Sequence, residues 1–450
     1  MAAAINSYIT DDLVTAILTC LPVKSLLRFR CVCKSWSVLT ENPDFITKHH
    51  LKRNIIDNNT VNAFVKRNGE PFGKPMMSTL KGVDNEEILT VVESNFVPSC
   101  DQLIICGSRN GILCLHNPDL YSDVIVLWNP STRDLKTLPE SPLEPPDTRE
   151  TLFGDIGFGF DRRTNDYKVI RFVLYRCDDD DDKEEEEEEH DDDDHDEEEE
   201  DDDDEDDDDD DDEEEDDDDE EEEEDDDYFV GQVELYSLKS DSWRVIPRMN
   251  ADIFPCCYYC NTYKDGVKYW WGRKSTDDSQ WLMSFDMVEE VFETVELPSD
   301  FGDFRNPVFS VFNGQLCMVL YIDDKMESLF EIWVMTDNGV RKTWVEQMTI
   351  QVSGVLRPLE FWKDRGLFLE DDQGQLVLYD IRTKEMKNLQ LRGKRYTFQV
   401  VNYEESLVPI NSRRAQNNNT EVEEQQGLAS QMMVLHDLSE KCSFNVRMQF

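Results

Sequence analysis

The sequence TDDLVTAILTCLPVKSLLRFRCVCKSWSVL, residues 10–39, predicts three short helices packed at steep angles. Thr10 is a favourable N-cap, and the two acidic residues behind it suit the positive end of a helix dipole. Pro22 ends the first helix and sets the turn into the second. Apolar residues recur at helical spacing in the first helix: Leu13, Ile17, Leu18 and Leu21. A unit of roughly 40 residues is too small to bury all of its apolar side chains, so we expect a partner helix to lie against it.

Two segments strongly resemble the plant F-box: LPVKSLLRFRCVCKSW at residues 21–36 and NPDFI at residues 42–46. In that family the F-box binds a Skp-type adaptor, which joins it to a cullin ubiquitin ligase. The sequence departs from the family at Ile9 and Thr10, where many F-boxes have Leu-Pro, and this changes the first turn. The alternative is an ordinary three-helix cap on a β domain. The resemblance implies adaptor contacts through Leu13, Ile17, Leu21, Pro22, Leu26, Leu27, Val32, Cys33 and Trp36.

The net charge of −56 comes mainly from one acidic segment. Residues 178–227 are all Asp or Glu except Lys183, His190 and His195, so this segment alone carries −46. It lacks apolar residues, which predicts a disordered insertion. The insertion is interpreted either as a solvated loop or as an electrostatic lure for a basic substrate. Such acidity argues against nucleic acid as a partner.

The N-terminus, MAAAINSYITDD, has neither the basic start nor the apolar core of a secretory signal. Apolar runs elsewhere have the length of strands, so no membrane partner is expected. The twelve cysteines are therefore interpreted as reduced thiols of a cytoplasmic or nuclear protein. Cys257 and Cys260 have metal-ligand spacing, but no second pair follows them, which favours packed thiols over a metal site.

A strand with an aromatic anchor, a polar turn and a return strand recurs five times along the chain. The anchors are Trp128, Tyr236, Phe285, Trp333 and Tyr379. The last four lie 46 to 49 residues apart, which is the length of a four-stranded blade. A sixth blade built from both chain ends, with strands near 90–92, 103–106, 397–401 and 406–408, would close a ring. The regular period favours a six-bladed β-propeller over a two-sheet sandwich.

The repeat region also resembles the plant F-box-associated domain. The motifs that carry this resemblance are WNPSTR at 128–133, GFGFD at 157–161, NDYKV at 165–169 and VELYSL at 233–238. The sequence YEESLV at 403–408 is similar to the ending of S-locus F-box and S-locus-like proteins. In S-locus members the substrate is the S-ribonuclease of the pistil, a secreted basic protein taken into the pollen tube.

The sequence therefore predicts an α plus all-β chain in four parts. These are an F-box at 1–50, a connector at 51–89, an F-box-associated propeller at 90–410 interrupted by the acidic segment, and a flexible tail at 411–450.

Catalytic motifs are lacking: there is no phosphate loop, nucleophile elbow or pair of His ligands. We therefore expect no catalytic residue, cofactor or metal, and a non-enzymatic adaptor subunit that recruits a protein substrate to a Skp–cullin–F-box ubiquitin ligase. The alternative is a scaffold or chaperone that binds basic proteins through the propeller and the acidic segment. Substrate contacts are assigned only to the propeller loops, without individual residues.

Overall fold

The computed structural model describes residues 10–56, 60–69, 73–83, 86–93, 103–117, 124–141, 151–176, 228–247, 253–255, 262–274, 279–298, 307–322, 328–337, 339, 341–362 and 365–411. The acidic segment 178–227, the Cys257 and Cys260 pair and residues 412–450 of the predicted tail lie outside these described residues.

Four helices come first: α1 (Asp11–Leu18), α2 (Val23–Phe29), α3 (Lys34–Glu41) and α4 (Pro43–Ile56). Thr10 is the N-cap of α1, and its hydroxyl accepts a hydrogen bond from the Leu13 backbone N–H at 3.4 Å. The three predicted helices are present. The fourth continues past the boundary predicted at residue 50.

Twenty-five strands follow. They are β1 (Thr60–Asn68), β2 (Pro75–Val83), β3 (Glu86–Glu93), β4 (Ile104–Arg109), β5 (Ile112–Asn117), β6 (Val124–Asn129), β7 (Asp134–Thr137), β8 (Thr151–Asp161), β9 (Asp166–Arg176), β10 (Tyr228–Ser237), β11 (Ser242–Ile246), β12 (Ile253–Pro255), β13 (Tyr263–Lys264), β14 (Val267–Lys274), β15 (Gln280–Asp286), β16 (Val291–Glu296), β17 (Val308–Phe312), β18 (Gln315–Ile322), β19 (Ser328–Asp337), β20 (Lys342–Val352), β21 (Val355–Trp362), β22 (Gly366–Asp371), β23 (Gln375–Asp380), β24 (Met386–Arg392) and β25 (Gln399–Asn402).

These strands form six antiparallel sheets, which confirms the predicted six-bladed propeller. Five blades are consecutive in the chain: β4–β7, β8–β11, β12–β16, β17–β20 and β21–β24. The remaining blade has the order β25-β1-β2-β3, so the last strand is paired with the first. Its register places Phe64 opposite Val401. Pairing β25 with β1 closes the ring, so the first and last parts of the propeller are hydrogen-bonded in one sheet and neither leaves an unpaired edge at the junction.

The predicted connector at 51–89 is wrong, because β1 and β2 are strands of the closing blade. Their alternation is hard to read from the sequence, since β1 buries the charged side chains of Lys66 and Arg67 as well as Phe64. The sixth blade is also assembled differently from the prediction. The segment 103–106 contributes to β4 of the next blade, and 406–408 forms no strand.

All five aromatic anchors lie on the third strand of their blades, as the repeat predicts. Three turns between inner strands are Asn-Gly or Asp-Gly pairs with positive φ. Their non-glycine residues are Asn110, Asp265 and Asn313, with φ of 49°, 52° and 50°. Such turns keep the chain reversal to two residues and hold adjacent strands in register.

The ring has two unlike faces. On the turn face lie the connections from third to fourth strand and the turns β4–β5, β8–β9, β13–β14, β17–β18 and β21–β22, each of two to five residues. At the loop face the chain leaves β7 and enters β8, and leaves β9 and enters β10. The residues on either side of the acidic segment, Arg176 and Tyr228, are paired neighbours of β9 and β10 there. The prediction that it interrupts one blade between adjacent strands is confirmed.

Candidate functional site

The F-box leaves apolar side chains uncovered on its outer surface. Leu13 and Ile17 are 51% and 49% exposed, and their four-residue spacing places them on one side of α1. Val32, in the turn before α3, is 61% exposed. Pro22 and Cys33 are exposed as well. Five of the nine predicted adaptor contacts are therefore accessible to a partner.

Leu26 does not fit its predicted role. Its side chain has no exposed surface and lies in the F-box core with Leu18, Val23 and Phe45. A side chain that is fully enclosed cannot contact an adaptor without opening that core. The other three predicted contacts, Leu21, Leu27 and Trp36, are half-buried against the same core.

Two exposed apolar residues of the F-box helices were missed in the sequence. Val38 on α3 is highly exposed, and Leu51 on α4 is also mostly exposed. Val38 is two residues from Trp36, so the two side chains leave α3 in different directions. The predicted adaptor contacts therefore included Trp36 and omitted Val38.

A segment after β25 connects the F-box to the propeller, and we call residues 403–411 the strap. Leu407 is buried in the F-box core beside Leu18 and Val23. The strap crosses the turn face at Gly111, where a Cβ would lie 2.3 Å from the Cβ of Ser406. Only glycine allows this approach.

Propeller side chains hold the strap in place. The Asn129 amide Nδ2 donates to the carbonyls of Ser406 and Val408 at 3.2 and 2.9 Å. The hydroxyls of Ser131 and Tyr403 are 2.8 Å apart. The F-box is thus anchored to the turn face by contacts on both sides of one segment.

Histidines of α4 complete this junction. The His49 ring Nε2 is 2.8 Å from the carbonyl oxygen of Leu21, and it closes the F-box core. His50 Nε2 lies 3.6 Å from a carboxylate oxygen of Glu404 in the strap. Burial lowers the pKa of His50, although the charge of Glu404 opposes this change. At neutral pH the contact between His50 and Glu404 is therefore one of a neutral imidazole with a carboxylate, and not an ion pair.

The central channel forms a polar cavity of about 130 Å³ near the turn face. The guanidinium of Arg109 lies 5.0 Å from the ring centre of Tyr263. Glu360 accepts hydrogen bonds from Ser310 and from the Phe361 backbone N–H, while burial raises its pKa to about 7. The lining residues include neither cysteine nor histidine. They form a polar channel wall and offer no pairing of a nucleophile with an imidazole base.

Metal and thiol chemistry find little support in the part of the chain that the structure describes. There, no three His, Cys, Asp or Glu side chains are grouped to hold a metal ion. Burial raises the pKa of the Cys106 and Cys317 thiols, so both are packing residues. None of the described helices has the length and apolar character needed to cross a membrane.

Comparison with known families and proteins identifies the two parts of the chain. Residues 7–48 match the F-box domain, and residues 216–415 match the F-box associated beta propeller domain. The F-box/kelch-repeat protein At3g23880 of Arabidopsis thaliana is 30% identical over 394 residues, covering 82% of this chain and 86% of that protein. The chain belongs to the F-box protein family.

Other F-box proteins of the same plant resemble it over nearly as much of their length. F-box protein CPR1 of Arabidopsis thaliana is 25% identical over 416 residues, which cover 85% of this chain and 84% of that protein. The match to the F-box-associated domain begins inside the acidic segment. Strand pairing therefore assigns the blades before residue 216 to the same ring. The S-locus subclass stays a prediction, because the matches identify only the broader family.

Proposed function

We propose that this F-box protein is the substrate-recognition subunit of a Skp–cullin–F-box ubiquitin ligase. One observation carries the proposal: the F-box has an exposed apolar surface and is attached, through the strap, to the turn face of the propeller. The loop face lies on the opposite side of the ring. Such a subunit needs no catalytic residue. It contributes by raising the effective concentration of substrate lysines near the ubiquitin-charged enzyme.

The adaptor side of the proposal rests on the F-box helices. Leu13, Ile17 and Val32 expose apolar surface that a partner helix would bury. At about 25 cal/mol per Å² of apolar area, a few such side chains supply several kcal/mol of binding energy. We assign the Skp-type adaptor to this surface, with Pro22 and Cys33 at its edge and Leu26 as a core residue that supports it.

The substrate side is assigned to the loop face. The F-box and the strap contact the turn face, and the turn-face connections are too short to vary much in shape. The finer assignment of S-ribonuclease as substrate rests on the S-locus resemblance of residues 403–408 alone. A location in the cytoplasm or nucleus rests instead on the interpretation of the cysteines as reduced thiols.

Replacing Ile17 with Asp tests the adaptor role. The change places a charge in the centre of the proposed interface without disturbing a buried side chain. We expect adaptor capture in a pull-down to fall at least tenfold, with unchanged thermal unfolding. Val345→Asp, on an outer strand with similar exposure, is the matched control and keeps full binding. Wild-type protein that fails to bind any Skp-type adaptor would contradict the proposal.

A scaffold or chaperone for basic proteins is the second candidate, and the 47 acidic residues of segment 178–227 favour it. Deleting this segment tests whether it captures a basic substrate, and the adaptor pull-down separates the scaffold from the ligase subunit. An electrostatic lure predicts slower substrate association and a weaker dependence on salt after deletion. Unchanged, equally salt-dependent binding contradicts a role for the segment in capturing substrate.

A further inference from the structure

Lys66, two residues before the end of β1, lies near the loop face, where no described residue supplies its counter-charge. Its side chain is 4% exposed. It makes no hydrogen bond or ion pair with the part of the chain that the structure describes. Burial lowers its pKa to about 8, and the nearby charge of Arg357 acts in the same direction. A largely buried side chain whose cation has no counter-charge among the described residues is favourably placed for a ligand that supplies negative charge.

Next to Lys66, the connection from β24 to β25 is fixed by hydrogen bonds on both sides. The Lys394 backbone N–H donates to the carbonyl of Asn68 at 2.8 Å. In return, the Asn68 backbone N–H donates to the Thr397 hydroxyl at 3.0 Å. The Arg67 guanidinium Nε donates to the carbonyl of Arg392 at 3.0 Å. This connection is therefore a preorganised surface.

The same connection presents an aromatic ring and two cations to solvent. Lys394, Arg395 and Tyr396 are all exposed, Tyr396 at 55%. Tyr396 has φ of 64°, a left-handed conformation that is unfavourable for an aromatic residue. The guanidinium of Arg357 lies 5.9 Å from the centre of its ring. We call Lys66, Lys74, Arg357, Lys394, Arg395 and Tyr396 the basic patch.

Among the described residues, nearby carboxylates neutralise only Arg357 of the basic patch. Glu370 pairs with Arg357 at 2.8 Å and accepts a hydrogen bond from the Tyr396 backbone N–H. Asp371 accepts from the backbone N–H groups of Gln373 and Gln375 in its own turn. Lys74, Lys394 and Arg395 make no ion pair with the described residues. The patch thus keeps a surplus of positive charge.

We infer that the basic patch binds an acidic peptide segment of the protein substrate, with one carboxylate or phosphate group at Lys66. That the peptide belongs to a ligase substrate rests on the proposed function, whereas the presence of a binding site for an acidic peptide does not. Its groups come from β1, β21 and two loop-face connections, so an extended chain with several anionic groups matches them better than a single small anion. The exposed Tyr396 ring offers such a peptide an apolar contact beside its charges.

Fluorescence anisotropy of labelled octapeptides on the full chain tests the inference. The probes are a Glu-rich peptide, its phosphoserine counterpart and a neutral Gln-rich analogue. Because the acidic segment 178–227 has the same charge as the probes, a second chain carries a Gly-Ser linker in its place. We expect both anionic peptides to bind at least tenfold more tightly than the Gln-rich analogue, and more tightly still to the chain with the linker.

Variants locate the site. We expect Lys66→Met, and Lys394→Gln with Arg395→Gln, each to weaken anionic peptide binding about tenfold. Lys384→Gln is the matched control. Lys384 is exposed on the turn-face connection between β23 and β24, in the blade that contributes Arg357, and we expect its replacement to leave binding unchanged.

Two results would overturn the inference: equal binding of anionic and neutral peptides to both chains, or an equal loss with Lys384→Gln. Inorganic phosphate that binds as tightly as the phosphoserine peptide would show a free-anion site instead. Adaptor capture by the same variants is measured separately, so a failure of the ligase proposal is distinguished from a failure of this site.

Discussion

Two buried lysines, one at the turn face and one near the loop face, differ in their partners. At the turn face, Lys168 donates to Asp161 at 2.8 Å and to Glu290 at 2.9 Å, so a buried lysine has two carboxylates. Lys66, equally buried near the loop face, has none among the described residues. The first arrangement holds three blade elements together. The second leaves a cation for a partner, which indicates that the two faces serve structure and recognition respectively.

The largest expected effect separates these two lysines. Lys168→Met removes the buried cation that Asp161 and Glu290 share, although Arg244 still pairs with Glu290, and we expect a loss of about 3 kcal/mol in the free energy of unfolding. Lys66→Met removes a charge that has no counter-charge, so its effect stays within about 1 kcal/mol or is stabilising. Urea unfolding of both variants measures this. Equal losses in the two variants would remove the distinction between the faces.

A second expected effect concerns the strap. Leu407→Ala opens a cavity in the F-box core, and we expect a local loss of about 2–4 kcal/mol. Hydrogen exchange should then speed up in α1 and α4, while β22 in the propeller keeps its protection. Leu407→Met preserves the volume and serves as the control. Unaltered exchange in α1 would show that the strap does not support the F-box.

Two aspartates of β8, Asp155 inside the strand and Asp161 at its turn-face end, extend the comparison to pH. Burial raises the pKa of Asp155 to about 7, although Lys268 opposes it, and its Oδ2 has no hydrogen-bond partner. Burial also acts on Asp161 at the turn face, but hydrogen bonds from Lys168 and Thr164 hold its pKa well below the usual range.

The signs therefore differ. Ionising Asp155 costs stability as pH rises from about 4 to 7, and the cost is constant above that. We expect Asp155→Asn to stabilise the protein by about 2 kcal/mol at pH 8 and to have little effect at pH 4. Asp161→Asn is expected to destabilise at pH 8, because the Asp161 carboxylate contributes stability that is lost only as pH falls below about 4. Thermal unfolding against pH measures both; the same sign for both would contradict the assignment.

The smallest expected effect is at Tyr396. Asn tolerates the left-handed conformation better than Tyr, so Tyr396→Asn should stabilise the fold by about 1 kcal/mol while weakening binding of the Glu-rich peptide. Chemical unfolding and anisotropy on one preparation give both values. A destabilised variant with unchanged peptide binding would assign Tyr396 a structural role.

The sequence predicted the features that depend on local spacing. The α1 stripe from Leu13 to Ile17 predicted an apolar face that needs a partner, and the period of the aromatic anchors predicted the blades. The F-box itself was predicted from the resemblance of residues 21–36 and 42–46. Features that depend on distant pairing were missed. The strands of 60–83 contain buried charges, Leu407 enters a core almost 400 residues away in sequence, and the basic patch combines residues 66, 74 and 357 with 394–396. Leu26 was assigned to the interface through the F-box resemblance, and the sequence cannot separate the core side of so short a helix from its outer side.

Crossed binding measurements on two variants test the central claim most directly. Adaptor and Glu-rich peptide are titrated into Ile17→Asp and into the Lys394→Gln, Arg395→Gln double variant. The account predicts that Ile17→Asp loses the adaptor and keeps the peptide, while the double variant keeps the adaptor and loses the peptide. Adaptor binding by Ile17→Asp as tight as that of the wild-type chain would contradict it.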